Sequence, residues 1–229
     1  MTGHAQKLEV SSLTVTGDGG RRLLCVDSLT IAAGSAVVVR GPSGAGKSTF
    51  LYALAGMIAP ETGQIRWGET DIAPLPEPAR AAFRRRNMGF VFQEHLVFEE
   101  LSAPENAAIA ALYSGRADRG RIRDRAAAEL ARLGLDGVGT RRSDTFSGGE
   151  RQRIAVARAL AGGPGIILAD EPTASLDRDN ADRLARDLVT LARTEGRTLI
   201  AVSHDPALHE RADRLIDIVD GRLLEAADG

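Results

Sequence analysis

The chain has 229 residues with 31 acidic and 29 basic side chains, a formal charge of −2, and this balance argues against a non-specific nucleic-acid binder. It is 43% apolar and 26% charged, the composition of a globular domain that buries its own core. The single Cys25 excludes an internal disulfide or a cysteine-cluster metal site, no run has the apolar length of a membrane span, and the opening MTGHAQKLEV lacks the apolar stretch of a secretion signal, so the expected setting is a reducing cytoplasm.

In chain order, Lys7 falls in a lead-in expected to be disordered. Leu8, Val10, Leu13 and Val15 then read as short β segments. Ser35–Arg40 is an apolar run stopped by Gly41, as expected of a buried parallel strand. Lys47 to Ala55 reads as a helix closed by Gly56, followed by strands at Gln64–Trp67 and Met88–Phe92 with a basic helix, Ala79–Arg86, between them. Residues 102–161 turn Ala/Arg-rich, with helical spacing in Glu105–Tyr113, Ile122–Leu133 and Glu150–Ala161. Strand character returns at Gly165–Ala169, and again at Thr198–Val202 after a helix over Asn180–Thr194. Leu215–Val219, Asp220-Gly221 and Arg222–Leu224 then spell a hairpin. Strands and helices flanking a helix-only middle predict an α/β core with a helical insertion.

Gly41-Pro42-Ser43-Gly44-Ala45-Gly46-Lys47-Ser48, with Thr49 next, fits G-x-x-x-x-G-K-[ST] between a strand and a helix. Glycines let main-chain N–H groups wrap a phosphate, and the helix start adds partial positive charge. Of the 29 cations only Lys7 and Lys47 are lysines. Arginine fills every other cationic position, which fits a compositional habit, yet the phosphate loop uses the compact point charge that suits β and γ phosphates. Ser48 supplies a hydroxyl to Mg²⁺. A second element is the apolar run ending in Asp170-Glu171: Asp170 at a strand tip would hold Mg²⁺ through water, and Glu171 would polarise an attacking water.

Phe146-Ser147-Gly148-Gly149-Glu150, followed by RQRIAVARAL, resembles the signature motif of ATP-binding cassette (ABC) ATPases. Ser147 and Glu150 form an S-x-x-E capping box, and the two glycines leave a helix start open to an anion. Gln93 is similar to that family's Q-loop glutamine, Ala174-Ser175-Leu176-Asp177 to its D-loop, and His204 to its switch histidine. The resemblance runs from about residue 8 to 224. It implies a P-loop NTPase core (RecA-like, mostly parallel sheet) formed by 1–92 and 162–229, an N-terminal antiparallel β subdomain, and a helical signature subdomain over 93–161. It further implies ATP and Mg²⁺ as ligands, the latter near Ser48, Gln93 and Asp170, and catalytic roles for Lys47, Gln93, Glu171 and His204. The signature would face ATP held by the other subunit of a homodimer or a heterodimer.

Phe146 and Glu150 replace the commoner Leu and Gln with little expected effect, since both keep the apolar anchor and the cap. The aromatic residue that usually stacks on adenine is missing, because residues 1–49 contain no Phe, Tyr or Trp. The slot falls near Val15–Gly17 and an aliphatic or Arg substitute is expected there. The stretch Gly89–Asn106 looks similar to the branch containing lipoprotein-release, macrolide-export and cell-division ATPases. That implies a peripheral subunit on the cytoplasmic face of the membrane, docked on a separate permease through the helical insertion with the loop around Gln93–Asn106. The alternative is a soluble ABC ATPase such as an iron–sulfur assembly component. Arg84–Arg86 reads as a solvated helix face, and His4, His95 and His209 are too scattered to make a metal site.

Overall fold

A computed structural model describes residues 4–139, 141 and 145–225. Its strands are β1 (Leu8–Thr16), β2 (Arg22–Ile31), β3 (Ala36–Arg40), β4 (Thr62–Trp67), β5 (Thr70–Asp71), β6 (Met88–Val91), β7 (Ile166–Asp170), β8 (Thr198–Val202), β9 (Arg214–Val219) and β10 (Arg222–Glu225). The helices are α1 (Lys47–Leu54), α2 (Glu77–Asn87), α3 (Ala103–Ala107), α4 (Arg116–Arg132), α5 (Gly148–Ala161), α6 (Arg178–Glu195) and α7 (Pro206–His209). The strands form one ten-stranded sheet in the order β5-β4-β1-β2-β10-β9-β3-β8-β7-β6. From β9 to β6 every pairing is parallel, whereas β1 with β2, β1 with β4, β4 with β5 and β9 with β10 are antiparallel.

The parallel strands carry apolar residues on both faces, and that is what lets helices cover both sides. Along β3, Ala36 and Val38 join the cluster beneath α3–α6, while Val37 and Val39 join the opposite cluster with Phe50, Leu51 and Leu54 of α1. Asp170 stands at the C-terminal end of β7 and His204 two residues past β8, so both come to the carboxyl edge of the parallel strands, where such sheets place ligands. Gly89 permits a tight crossing of β6 over α5, because a Cβ there would lie 2.3 Å from the Ala159 carbonyl oxygen.

Two expectations change. Lys7 is ordered: its carbonyl accepts the Gly68 N–H at 2.8 Å, and its Nζ pairs with Glu9 at 2.6 Å. The helix expected over Glu105–Tyr113 is broken at Ala108 (φ −93°, ψ 9°) and continues as a 3₁₀ turn over Ile109–Tyr113. So short a helix is set by tertiary packing rather than by its own propensity. Ala103, Ala107 and Ala111 stay buried across the break, which preserves the apolar side that the spacing announced.

Candidate functional site

The phosphate loop is shaped by contacts that the glycines alone do not reveal. At Gly41 (φ 147°) a Cβ would lie 2.0 Å from the Ile218 carbonyl oxygen, and at Gly46 (φ 99°) 2.8 Å from that of Leu23. Larger residues at either place would push the loop off its supports. The hairpin between β9 and β10 turns at Asp220 and Gly221, both at positive φ, as a two-residue loop of this hand requires. Its Gly221 N–H donates to the Ala45 carbonyl at 3.0 Å, so the last hairpin braces the phosphate loop.

Lys47 opens α1 and is nearly buried; its Nζ donates to the carbonyls of Gly41 (2.8 Å) and Pro42 (2.9 Å). The ammonium thus sits across the loop it serves. A cleft of about 790 Å³ opens there. Lys47, Ser48 and Thr49 line it with Ser43, Gly44 and Gly46, and across from them stand Gln93, Asp170, Glu171 and His204. Residues spread over most of the sequence converge on this one cavity.

The carboxylates differ in kind. Asp170 is 1% exposed, and neither of its oxygens has a hydrogen-bond partner among the described residues. A buried, unpaired carboxylate is costly, and a hydrated divalent cation is the natural complement for it. The residues present therefore fit Mg²⁺. Burial and then the nearby Asp170 carboxylate hold the Tyr52 phenol above its ordinary pKa. Glu171 occupies the left-handed region (φ 47°), a conformation that costs a non-glycine residue of order 1–3 kcal/mol and points to a functional constraint. Its Oε2 accepts the His204 N–H at 3.3 Å and its Oε1 lies 3.6 Å from His204 Nε2.

The loop carrying His204 is tied down on several sides. Ser203 N–H donates to the Val39 carbonyl, Ser203 Oγ accepts from the Asp205 N–H, and the Ser203 carbonyl lies 2.9 Å from His209 Nε2.

Ser147–Glu150 do not line this cleft. Both halves of the capping box are formed at the start of α5: Ser147 N–H donates to Glu150 Oε2 at 2.8 Å and Glu150 N–H to Ser147 Oγ at 3.2 Å. Gly148 and Gly149 back onto Ser175 and Leu176 of the D-loop segment, Leu176 lines the cleft, and Asp177 caps α6 through the Asn180 N–H. Phe146 is buried beneath the Arg141 guanidinium, 4.6 Å from its ring centre. The helix start and the phosphate loop are separate surfaces within one chain.

Sequence reasoning missed Leu23. Val15 turns into the core, so the expected adenine slot at Val15–Gly17 is not a cleft wall; an aliphatic residue further along the chain, Leu23, packed against Gly17, lines the cleft. Thr173, which also lines the cleft, carried no signal beyond its nearness to Glu171.

A parallel sheet whose phosphate loop feeds α1, with carboxylates at the tip of the neighbouring strand, defines a P-loop NTPase core. Residues 25–174 match the family model described as ABC transporter, and the chain belongs to that family as an ATP-binding cassette. It is similar to a lipoprotein-releasing system ATP-binding protein, LolD 1 of Rhodospirillum rubrum, with 37% identity over 96% of this chain and 98% of that protein. It is also similar to a macrolide export ATP-binding/permease protein, MacB of Rhodopseudomonas palustris, with 42% identity over 86% of this chain. There the match spans 30% of the relative's length. The ATP-binding cassette MJ0796, solved as a dimer in a post-hydrolysis state with ADP and Pi, superimposes with a TM-score of 0.86 at 30% identity, covering 97% of this chain and 99% of that one. No helix among the described residues is long and apolar enough to cross a membrane.

Proposed function

We propose that this chain is the ATP-hydrolysing subunit of a membrane transporter, that two copies close around two ATP molecules, and that closure drives a separate permease. The observation that carries this reading is the convergence of Lys47, Ser48, Gln93, Asp170, Glu171 and His204 on one cleft. Lys47 and the main-chain N–H groups of the Gly41–Thr49 loop, all but Pro42 having one, hold the β and γ phosphates and stabilise charge developing on them. Glu171 orients and deprotonates the attacking water, and His204, held against Glu171, keeps the γ-phosphate in line. Mg²⁺, held by Ser48, Gln93 and (through water) Asp170, would neutralise phosphate charge. Ser147–Glu150, set apart from the chain's own cleft, present a helix start to the nucleotide of the second copy. Ser175, Leu176 and Asp177 stand beside that junction.

Segment 93–161 is the permease-facing subdomain in this reading, and it exposes Leu96, Phe98, Leu112 and Tyr113. The relatives' names favour export or lipoprotein release over import and weigh against the soluble alternative. The chain then works at the cytoplasmic face of the membrane as a peripheral subunit. The test is phosphate release from ATP and Mg²⁺ by the purified chain, with pull-down from detergent-solubilised membranes. No Mg²⁺-dependent turnover, or recovery only in a soluble assembly complex, overturns it.

A further inference from the structure

Arg158 lies on α5, more than two turns beyond the start of the helix that carries the signature, and its guanidinium is directed at main chain rather than at a carboxylate. Nη1 donates to the Leu96 carbonyl at 2.6 Å and Nη2 to the His95 carbonyl at 2.8 Å. Arg158 is half-buried, no charged partner among the described residues offsets that burial, and the burial lowers its pKa. Partly burying a charge without a counter-charge costs free energy, which its two hydrogen bonds to main-chain carbonyls offset. The two carbonyls belong to the residues two and three places after Gln93. This segment has no regular structure of its own, and its far end is held by another side chain. Asn106, fully buried, accepts the Phe98 N–H at 2.8 Å and donates to the Phe98 carbonyl at 2.9 Å.

The same helix reaches the opposite wall of the cleft. Gln152, 1% exposed, donates to the Pro172 carbonyl at 2.6 Å, one residue after Glu171. Helix α5 is therefore fastened by side chains to the main chain beside Gln93 and beside Glu171, while its N-terminus is open. A shift of the helix start is transmitted to both walls because a helix moves as a rigid rod and its clamps are short and directional.

We propose that Arg158 is a positioning residue which holds the Gln93 loop to the signature helix, so that engagement of the helix start sets where Gln93 stands in the cleft. The inference rests on the reading of Gln93 as part of the nucleotide site. The planar fork reaches the His95 and Leu96 carbonyls through two separate nitrogens held at a fixed spacing, whereas an ammonium would have to serve both from one atom.

A double-mutant cycle on the full chain tests this by steady-state ATP hydrolysis, with thermal melting to check folding. Arg158→Ala is expected to lower kcat by roughly 10-fold with KM for ATP within about twofold, and to change kcat by less than about twofold in a Gln93→Ala background. Should Arg158→Ala fail to fold, Arg158→Lys is run through the same cycle, with a smaller loss confined to the chain that keeps Gln93. An equal proportional loss with and without Gln93 means that Arg158 does not act through Gln93 and overturns the inference. If Gln93→Ala alone turns over like the wild type, Gln93 leaves the site and the inference falls with it, whereas Lys47 and Glu171 are untouched by that result.

Discussion

His204 Nε2 lies 3.6 Å from Glu171 Oε1, and the main-chain N–H of His204 donates to the other oxygen of the same carboxylate. Two loops that follow neighbouring parallel strands, β7 and β8, are thereby closed on each other at the mouth of the cleft. The strained backbone of Glu171 is held by this contact and by its own N–H, which donates to the Val202 carbonyl at 2.9 Å. Replacing His204 by Ala should lower kcat more than it raises KM for ATP, because the carboxylate loses its orientation while the phosphate loop keeps its shape. Equal kcat with raised KM would place His204 in binding alone.

Asp170 gives a prediction in which stability and function move in opposite directions. Asn at this position removes a buried, unpaired charge, so the nucleotide-free protein should gain about 1–3 kcal/mol in urea unfolding. The further stabilisation by ATP with Mg²⁺ should shrink or vanish, since the cation loses its carboxylate. An Asp170→Asn protein that is less stable without nucleotide, yet stabilised normally by Mg²⁺ and ATP, would contradict this account.

Lys47→Arg preserves charge and should still cripple nucleotide binding or hydrolysis. The nearly buried ammonium is wrapped by the Gly41 and Pro42 carbonyls, and the larger flat fork does not fit that place. Retained affinity and turnover would show that any cation suffices.

Leu23 lines the cleft, and no Phe, Tyr or Trp does so among the described residues. Without a stacking partner, worth about 1–3 kcal/mol per base in other proteins, ATP and GTP should be turned over with similar kcat/KM. A strong preference for ATP would mean that a contact other than Leu23 reads the base.

Three capping carboxylates contribute to the loss of stability in acid. Glu105 is held below its ordinary pKa first by the Ser102 hydroxyl, Glu150 first by the Ser147 main-chain N–H, and Asp177 first by that of Asn180. Folded-state pKa values below the unfolded ones, 4.5 for Glu and 3.8 for Asp, make this stabilisation fully present above them and lost as pH falls through the folded values. Stability to urea should fall on the acid side of about pH 4.5, and Glu150→Gln should flatten part of that fall. Ser147→Ala, which removes the hydroxyl half of the box, should cost about 0.5–2 kcal/mol. Superimposable acid limbs for wild type and Glu150→Gln would remove Glu150 from this role.

Much of this was legible because the relevant residues announce themselves locally. The apolar run before Gly41, the glycine spacing up to Lys47 and the S-x-x-E box at Ser147 each specify their own backbone, and β3, α1 and α5 formed where those patterns stood. What could not be read depends on partners distant in sequence. Leu23 reaches the cleft because Gly17 and Gly221 let β2 pass close to Gly46, and no local pattern records that packing. The Arg158 clamp joins residues 62 and 63 positions apart, and in a chain so rich in arginine its side chain looked like any other. The order of Lys7 has no local pattern behind it, because its main chain is held by the Gly68 N–H, far along the sequence.

In the proposed dimer, one chain's cleft is completed by another chain's helix start. Glu171→Gln should bind ATP and, by light scattering with Mg²⁺ and ATP, reach twice the 24.2 kDa of the single chain. Adding Gly148→Asp, where a Cβ meets nothing closer than 3.9 Å, should return it to one chain while nucleotide binding persists, because a carboxylate would then face the triphosphate. Glu171→Gln that binds ATP and stays at 24.2 kDa, or a dimer indifferent to Gly148→Asp, would contradict it.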